Sequence, residues 1–230
     1  MLLSIKRHSF SKSDLGLFLL TLYCLGALGF LLIGTGAIWL RSWGPVIPRL
    51  FNASSGSMLP TLHAEDLVLV TMHGWQTAQP RRGDIAVFKL PKNPSIFYLK
   101  RVIGIPGDRI QILNGVLHIN EQPVQRERLE DYKTTDIYDR TISVPQYRET
   151  LPGGMTYNII ERDGDRGYWD STDVYTLQPG HYFMLGDNRD NSTDSRDEAN
   201  VGQVPVGNIS GYVALILWSK DKRRAGSVPR

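Results

Sequence analysis

The chain has 230 residues, 41% hydrophobic and 21% charged, with a formal net charge of +3. That is room for one globular domain of ordinary size plus an extension, and the near-balance of scattered acids and bases leaves no nucleic-acid footprint. A single cysteine, Cys24, excludes an intramolecular disulfide and a cysteine metal cluster.

Residues 1–14 carry Lys6, Arg7 and Lys12, and are followed by 26 uncharged residues, 15–40, reading "LGLFLLTLYCLGALGFLLIGTGAIWL". About 20 apolar residues suffice to cross a bilayer, and a secretory signal's apolar region is shorter, about 7–15. The spacing therefore predicts a transmembrane helix. The basic residues ahead of it favour a cytoplasmic N-terminus, and Trp39 and Trp43 sit where an interfacial belt would be.

Beyond the span, helical periodicity gives way to short Val-, Ile- and Leu-rich runs at 67–72, 84–90, 97–105, 108–115, 116–120 and 212–218. Turn signals bound them, and Asn114-Gly115 between two such runs predicts a tight hairpin. Many short strands with Gly/Pro turns indicate a mainly β body. Residues 121–178 are more polar and read as an insertion, and residues 219–230, "SKDKRRAGSVPR", as a disordered tail. The run "YVALILW" at 212–218 reads as a core strand, with contact to lipid as the other possibility.

Three stretches carry polar groups suited to chemistry: "NASSGSMLPTL" (52–62), "YLKRVIGIPGD" (98–108) and "GDNRDNSTDSR" (186–196). In the second, strand alternation sends Lys100 to the face of Tyr98 and Val102, and Arg101 to that of Leu99 and Ile103. A lysine among apolar neighbours loses proton affinity when desolvated; otherwise it snorkels to water from an edge strand. The third stretch does not fit a calcium loop begun at Asp190, because Ser195 stands where the loop glycine belongs and Val201 where the bidentate Glu belongs. None of the five histidines falls within these stretches, and the Ser57 segment lacks a G-x-S-x-G elbow. A serine activated by a neutral lysine fits the residues better than a Ser-His arrangement. No zinc spacing and no phosphate loop are present, so neither metal nor other cofactor is expected.

The ordered stretches "SGSMLPTL", "GDIAVF", "YLKRVIGIPGD" and "GDNRDNSTDSR", following a membrane span, closely resemble the type I signal peptidase family over residues 50–215. Position by position, the resemblance implies Ser57 as nucleophile and Lys100 as general base. It implies Ser55 as the hydroxyl that forms an oxyanion hole with the Ser57 N–H, and Ser192 as the residue orienting the lysine. It also implies Asp194 and Arg196 as a supporting acid–base pair, and Met58 as a substrate contact. It implies a coiled antiparallel β-sheet catalytic core in two parts, 41–112 and 179–218, interrupted by a smaller β insertion at 113–178.

The expected partners are signal peptides with small residues, Ala-x-Ala, before the cut, and membrane lipid. The expected location is the bacterial inner membrane, with a single pass and the catalytic domain outside the cytoplasm. A related peptidase dedicated to one pilus or conjugation protein, or a non-catalytic membrane-tethered β domain, are the alternatives. The chain departs from the best-known bacterial form in its single span. It also has a short connection before the lysine stretch, and no aromatic run follows Asp194-Ser195-Arg196.

Overall fold

The computed structural model describes residues 47–72, 79–136 and 138–230. The transmembrane helix expected at 15–40, and Cys24 within it, lie outside the described residues. Among the described residues, no helix is long and apolar enough to cross a membrane.

The architecture is mainly β, as expected. The first strands are β1 (Ile47–Asn52), β2 (Leu67–Met72), β3 (Ile85–Leu90) and β4 (Asn93–Gly104). The next are β5 (Arg109–Leu113), β6 (Val116–Ile119), β7 (Gln122–Pro123) and β8 (Gln125–Arg128). Then come β9 (Tyr132–Thr135), β10 (Thr141–Val144), β11 (Gln146–Thr150) and β12 (Thr156–Ile160). The last are β13 (Tyr175–Thr176), β14 (His181–Leu185), β15 (Val204–Pro205) and β16 (Ile209–Trp218).

Seven of them form one antiparallel sheet in the order β1-β2-β16-β3-β4-β14-β15. The lysine strand β4 is thus paired on both sides, with Lys100 opposite Ala86 of β3 and Arg101 opposite Leu185 of β14. An edge strand with cations snorkelling to water is excluded. β4 starts earlier than residue 97 because only Pro91 and Lys92 separate it from β3, so Asn93 pairs at once with Leu90.

The Asn114-Gly115 hairpin forms as the sequence indicates. Leu113 pairs with Val116, and both turn residues have positive φ, 49° and 75°, as a two-residue turn that follows the strand twist requires. The resulting sheet, β13-β5-β6-β7, takes β5 from residues 109–113, straddling the boundary expected at 113, and the rest from beyond it. It shares a core with the seven-stranded sheet. Ile103, Phe183 and Leu185 pack with Ile110, Ile112, Leu117 and Ile119, and with Tyr157 and Ile159 of the β12-β11-β8 sheet. The region after residue 113 is therefore bound to β4 and β14 through one apolar core. A second core, Met58, Leu62, Val68, Val70, Val87 and Ile216, lies beneath the serine-rich turn.

β16 is a central strand, held by β2 and β3; only its last residues, Leu217 and Trp218, are substantially exposed. The final residues, expected to be disordered, fold back instead. The Ile216 N–H donates to the Ser227 carbonyl and the Gly226 N–H to the Ile216 carbonyl. Arg224 donates to the Thr61 carbonyl at 2.7 Å and to buried Asp66 at 2.8 Å. A basic tail gains structure here because a buried carboxylate needs a cation. Arg224→Ala is accordingly expected to lower unfolding stability by about 1–3 kcal/mol by leaving buried Asp66 without its cation, measured by urea denaturation; an unchanged midpoint would show the tail contact to be incidental.

Candidate active site

The turn after β1 is short because its residues are small. Gly56–Met58 form a single 3-10 turn entered from extended Ser55, and a turn this short leaves its leading N–H groups without acceptors inside it. The side chain and the backbone N–H of one residue of the third stretch, Asn188, clamp it. The Asn188 side chain donates to the Gly56 carbonyl at 2.9 Å, and the Asn188 N–H donates to the Ser57 carbonyl at 3.1 Å. Gly186 allows this close approach. A Cβ there would fall 2.6 Å from the Ser57 carbonyl oxygen and 2.2 Å from the Ser192 Oγ, and both distances are sterically impossible.

Ser57 and Lys100 meet across the fold. The Lys100 Nζ lies 2.6 Å from the Ser57 Oγ, and the Ser55 Oγ lies 3.1 Å from the same hydroxyl. Both Ser57 and Lys100 are buried. Burial is the largest influence on the amine and lowers its pKa to about 8, against the opposing pull of Asp194 and Asp187. Those two carboxylates do not bond the lysine. Asp187 is engaged by Arg101 through two bonds of 2.8 and 2.7 Å and accepts the Thr61 hydroxyl at 2.5 Å. Asp194 is engaged by Arg196 through two bonds of 2.9 Å and accepts the Gly186 N–H at 3.0 Å. Burial pushes the Asp194 carboxyl up, but Arg196 outweighs it and the carboxyl sits below its usual range.

Of the residues singled out in the sequence, Ser55, Ser57, Met58 and Lys100 line one cleft of about 370 Å³ with Ile96, Phe97 and Leu99. Ser192 is buried against Gly186. Its hydroxyl is close enough to Asp194 to favour that carboxylate, yet it makes no hydrogen bond of good geometry and so does not bond Lys100. Asp194 and Arg196 form a buried ion pair behind the site. Among the histidines, His63 is engaged with the Tyr132 hydroxyl and His181 with the Pro179 carbonyl, and neither bonds Ser57.

Sequence reasoning named the "GDN" run but assigned no work to Asp187 or Asn188, nor to Arg101, the residue beside the lysine. Arg101 is wholly buried. A further buried pair, Arg189–Glu149, with the Tyr157 hydroxyl donating to Glu149 at 2.5 Å, ties the same loop to β11 and β12. Glu149 lies 40 positions from its arginine, a separation that no local motif reveals.

A hydroxyl beside a buried amine, both opening on one cleft of a mainly β body, is the equipment of a serine endopeptidase. A family model described as signal peptidase, peptidase S26, matches residues 27–218. Signal peptidase I of Rickettsia conorii is 33% identical over 203 residues, 76% of this chain and 73% of that protein. The signal peptidase I of Rickettsia typhi is 33% identical with the same coverage, 76% and 73%. A crystal structure of a signal peptidase I from Enterococcus faecalis aligns with a TM-score of 0.35 and 25% identity, covering 59% of this chain and 97% of that one. The chain belongs to the signal peptidase family, peptidase S26, and is a serine endopeptidase of signal peptides.

Asp187→Ala strands the Arg101 guanidinium in the core. It is expected to lower stability by about 3–5 kcal/mol, with Asp187→Asn, which keeps one acceptor, losing less. Urea unfolding of the two variants checks the order, and equal losses would mean that charge pairing is not what Asp187 supplies.

Proposed function

We propose that the chain cleaves preproteins after Ala-x-Ala by acyl transfer to Ser57, with Lys100 as general base. The observation that carries this reading is the 2.6 Å contact between the Lys100 Nζ and the Ser57 Oγ in a site where burial lowers the amine's pKa to about 8. A neutral amine has a lone pair with which to accept the hydroxyl proton. The Ser57 oxygen then attacks the scissile carbonyl. The oxyanion is met by the Ser57 N–H and, after rotation away from the Ser57 hydroxyl, by the Ser55 O–H; one such donor is worth about 2.7–4 kcal/mol of barrier. The ammonium form of Lys100 returns its proton to the leaving amine. The same base then activates the water that hydrolyses the ester. Ser192, whose hydroxyl is uncommitted, turns to hold the lysine amine as the site closes. Asp194 and Arg196 keep the 186–196 loop in place.

Met58 and the apolar residues Ile96, Phe97 and Leu99 give the cleft walls that accept a methyl group and offer a longer polar side chain no partner. The apolar run at 15–40 anchors the chain in the bacterial inner membrane by a single pass. With the N-terminus cytoplasmic, the catalytic domain faces the side where exported preproteins emerge, and membrane lipid is its second partner.

The test uses the full chain in detergent, a preprotein whose signal ends in Ala-x-Ala, and mass spectrometry of the products. A single cut after the alanine is expected, lost in Ser57→Ala and in Lys100→Ala. A cut that survives Lys100→Ala overturns the lysine base. Because only neutral lysine accepts a proton, kcat/KM is expected to rise with pH through about 8; a flat profile from about pH 5 to 9 would sink the assignment.

A further inference from the structure

Three carboxylates outside the catalytic cleft converge behind the 186–196 loop. Glu161 and Asp170 begin and end one segment, "ERDGDRGYWD", and Asp190 stands in the 3-10 turn Arg189–Asn191 between Asn188 and Ser192. One oxygen from each lies within 4.8 Å of the other two. Glu161 and Asp170 are buried, with 1% and 3% of their surface exposed.

The bonding around them is incomplete in a particular way. Asp170 accepts the Gly167 N–H at 2.6 Å through Oδ2, and Asp190 accepts the Asp163 N–H at 2.7 Å through Oδ2. Each therefore has an oxygen to spare. The Glu161 Oε2 has no hydrogen-bond partner among the described residues although it is fully buried. Arg189 is the nearest cation in electrostatic effect on Glu161, but it is spent elsewhere. It bonds Glu149 twice, the Tyr157 hydroxyl and the Gly186 carbonyl. A buried unpaired carboxylate is costly unless it is neutralised by a proton or a metal ion.

We propose that Glu161, Asp170 and Asp190 bind a calcium ion that ties the 161–170 segment to the catalytic loop. The donor set is all oxygen, which selects a hard cation over zinc or copper. Calcium takes carboxylate oxygens at about 2.3–2.6 Å, so two oxygens on opposite sides of it lie about 4.8 Å apart. Magnesium, at about 2.0–2.1 Å, needs a tighter octahedron. The open, irregular segment 161–170 suits calcium's flexible shell, with waters or backbone carbonyls completing it. The sequence did not reveal the site because its acids come from two stretches, and the Asp190 stretch alone lacks the residues of a calcium loop. Occupancy would hold Asp190 in place. Through Asn188, which clamps Gly56 and Ser57, it would steady the nucleophile's turn.

The test uses the full chain in detergent, stripped with a chelator. Terbium is the first probe, because Trp169, next to Asp170, sensitises its emission when an ion binds nearby. One saturable terbium site is expected, displaced by calcium. At 1 mM calcium the unfolding midpoint is expected to rise by about 3 °C or more and to fall back on adding chelator. Glu161→Gln and Asp190→Asn are each expected to weaken calcium binding at least tenfold while circular dichroism stays that of the parent. Asp190 is only half-buried, so its variant keeps the test open if the change at Glu161 disturbs folding. An absence of saturable terbium binding, with a midpoint indifferent to calcium, overturns the proposal and leaves three acids sharing protons. Binding undiminished in both variants overturns it as well, by placing the ion elsewhere.

Discussion

Lys100 and Arg101 are neighbours on one buried strand, and they must be treated oppositely. Arg101 remains charged, so its guanidinium needs a carboxylate within reach. Lys100 is buried without a direct carboxylate partner, and burial lowers its proton affinity. Alternation along β4 separates the two side chains onto opposite faces. Asp187 then meets Arg101, while the Lys100 Nζ meets a neutral hydroxyl. The site depends on keeping those two environments apart.

The buried arginines serve that separation. Asp187, Asp194 and Glu149 are each held by an arginine of their own, Arg101, Arg196 and Arg189. Each carboxylate is thereby oriented and largely neutralised, and the pull of Asp194 and Asp187 on the lysine is a through-space effect that burial overcomes. Such pairs are not needed for stability as such, since apolar residues of similar volume often do as well. Their value is positional, because they fix the 186–196 loop against β4, β11 and the serine turn. The loop's backbone and Asn188 then hold Gly56 and Ser57 where the amine arrives.

Much of this was legible in advance. Apolar runs located β2, β3, β4 and β16 of the seven-stranded sheet, and the Asn114-Gly115 hairpin followed from turn chemistry alone. The choice of Ser57 and Lys100 came from residue types, strand alternation and the resemblance of four ordered stretches. The work of Arg101, Asp187 and Asn188 was not assigned, although all three lie inside those stretches, because a polar or charged residue looks the same in sequence whether it is solvated or paired. The tail misled for a related reason. "SKDKRRAGSVPR" is polar and basic like a disordered end, and only the buried Asp66 waiting for Arg224 gives it a place.

The sequence by itself determined the mainly β class, several of the strands with the Asn114-Gly115 hairpin, and the chemical types at the site, because these depend on local periodicity, turn residues and short motifs. Tertiary structure decided whether Lys100 is wet or dry, which carboxylate answers which arginine, and that Glu161, Asp170 and Asp190 come together in one place. Those outcomes depend on groups tens of residues apart. Their electrostatic interaction is weak in the unfolded chain, where water screens it, and strong only when the closed sheets remove the water.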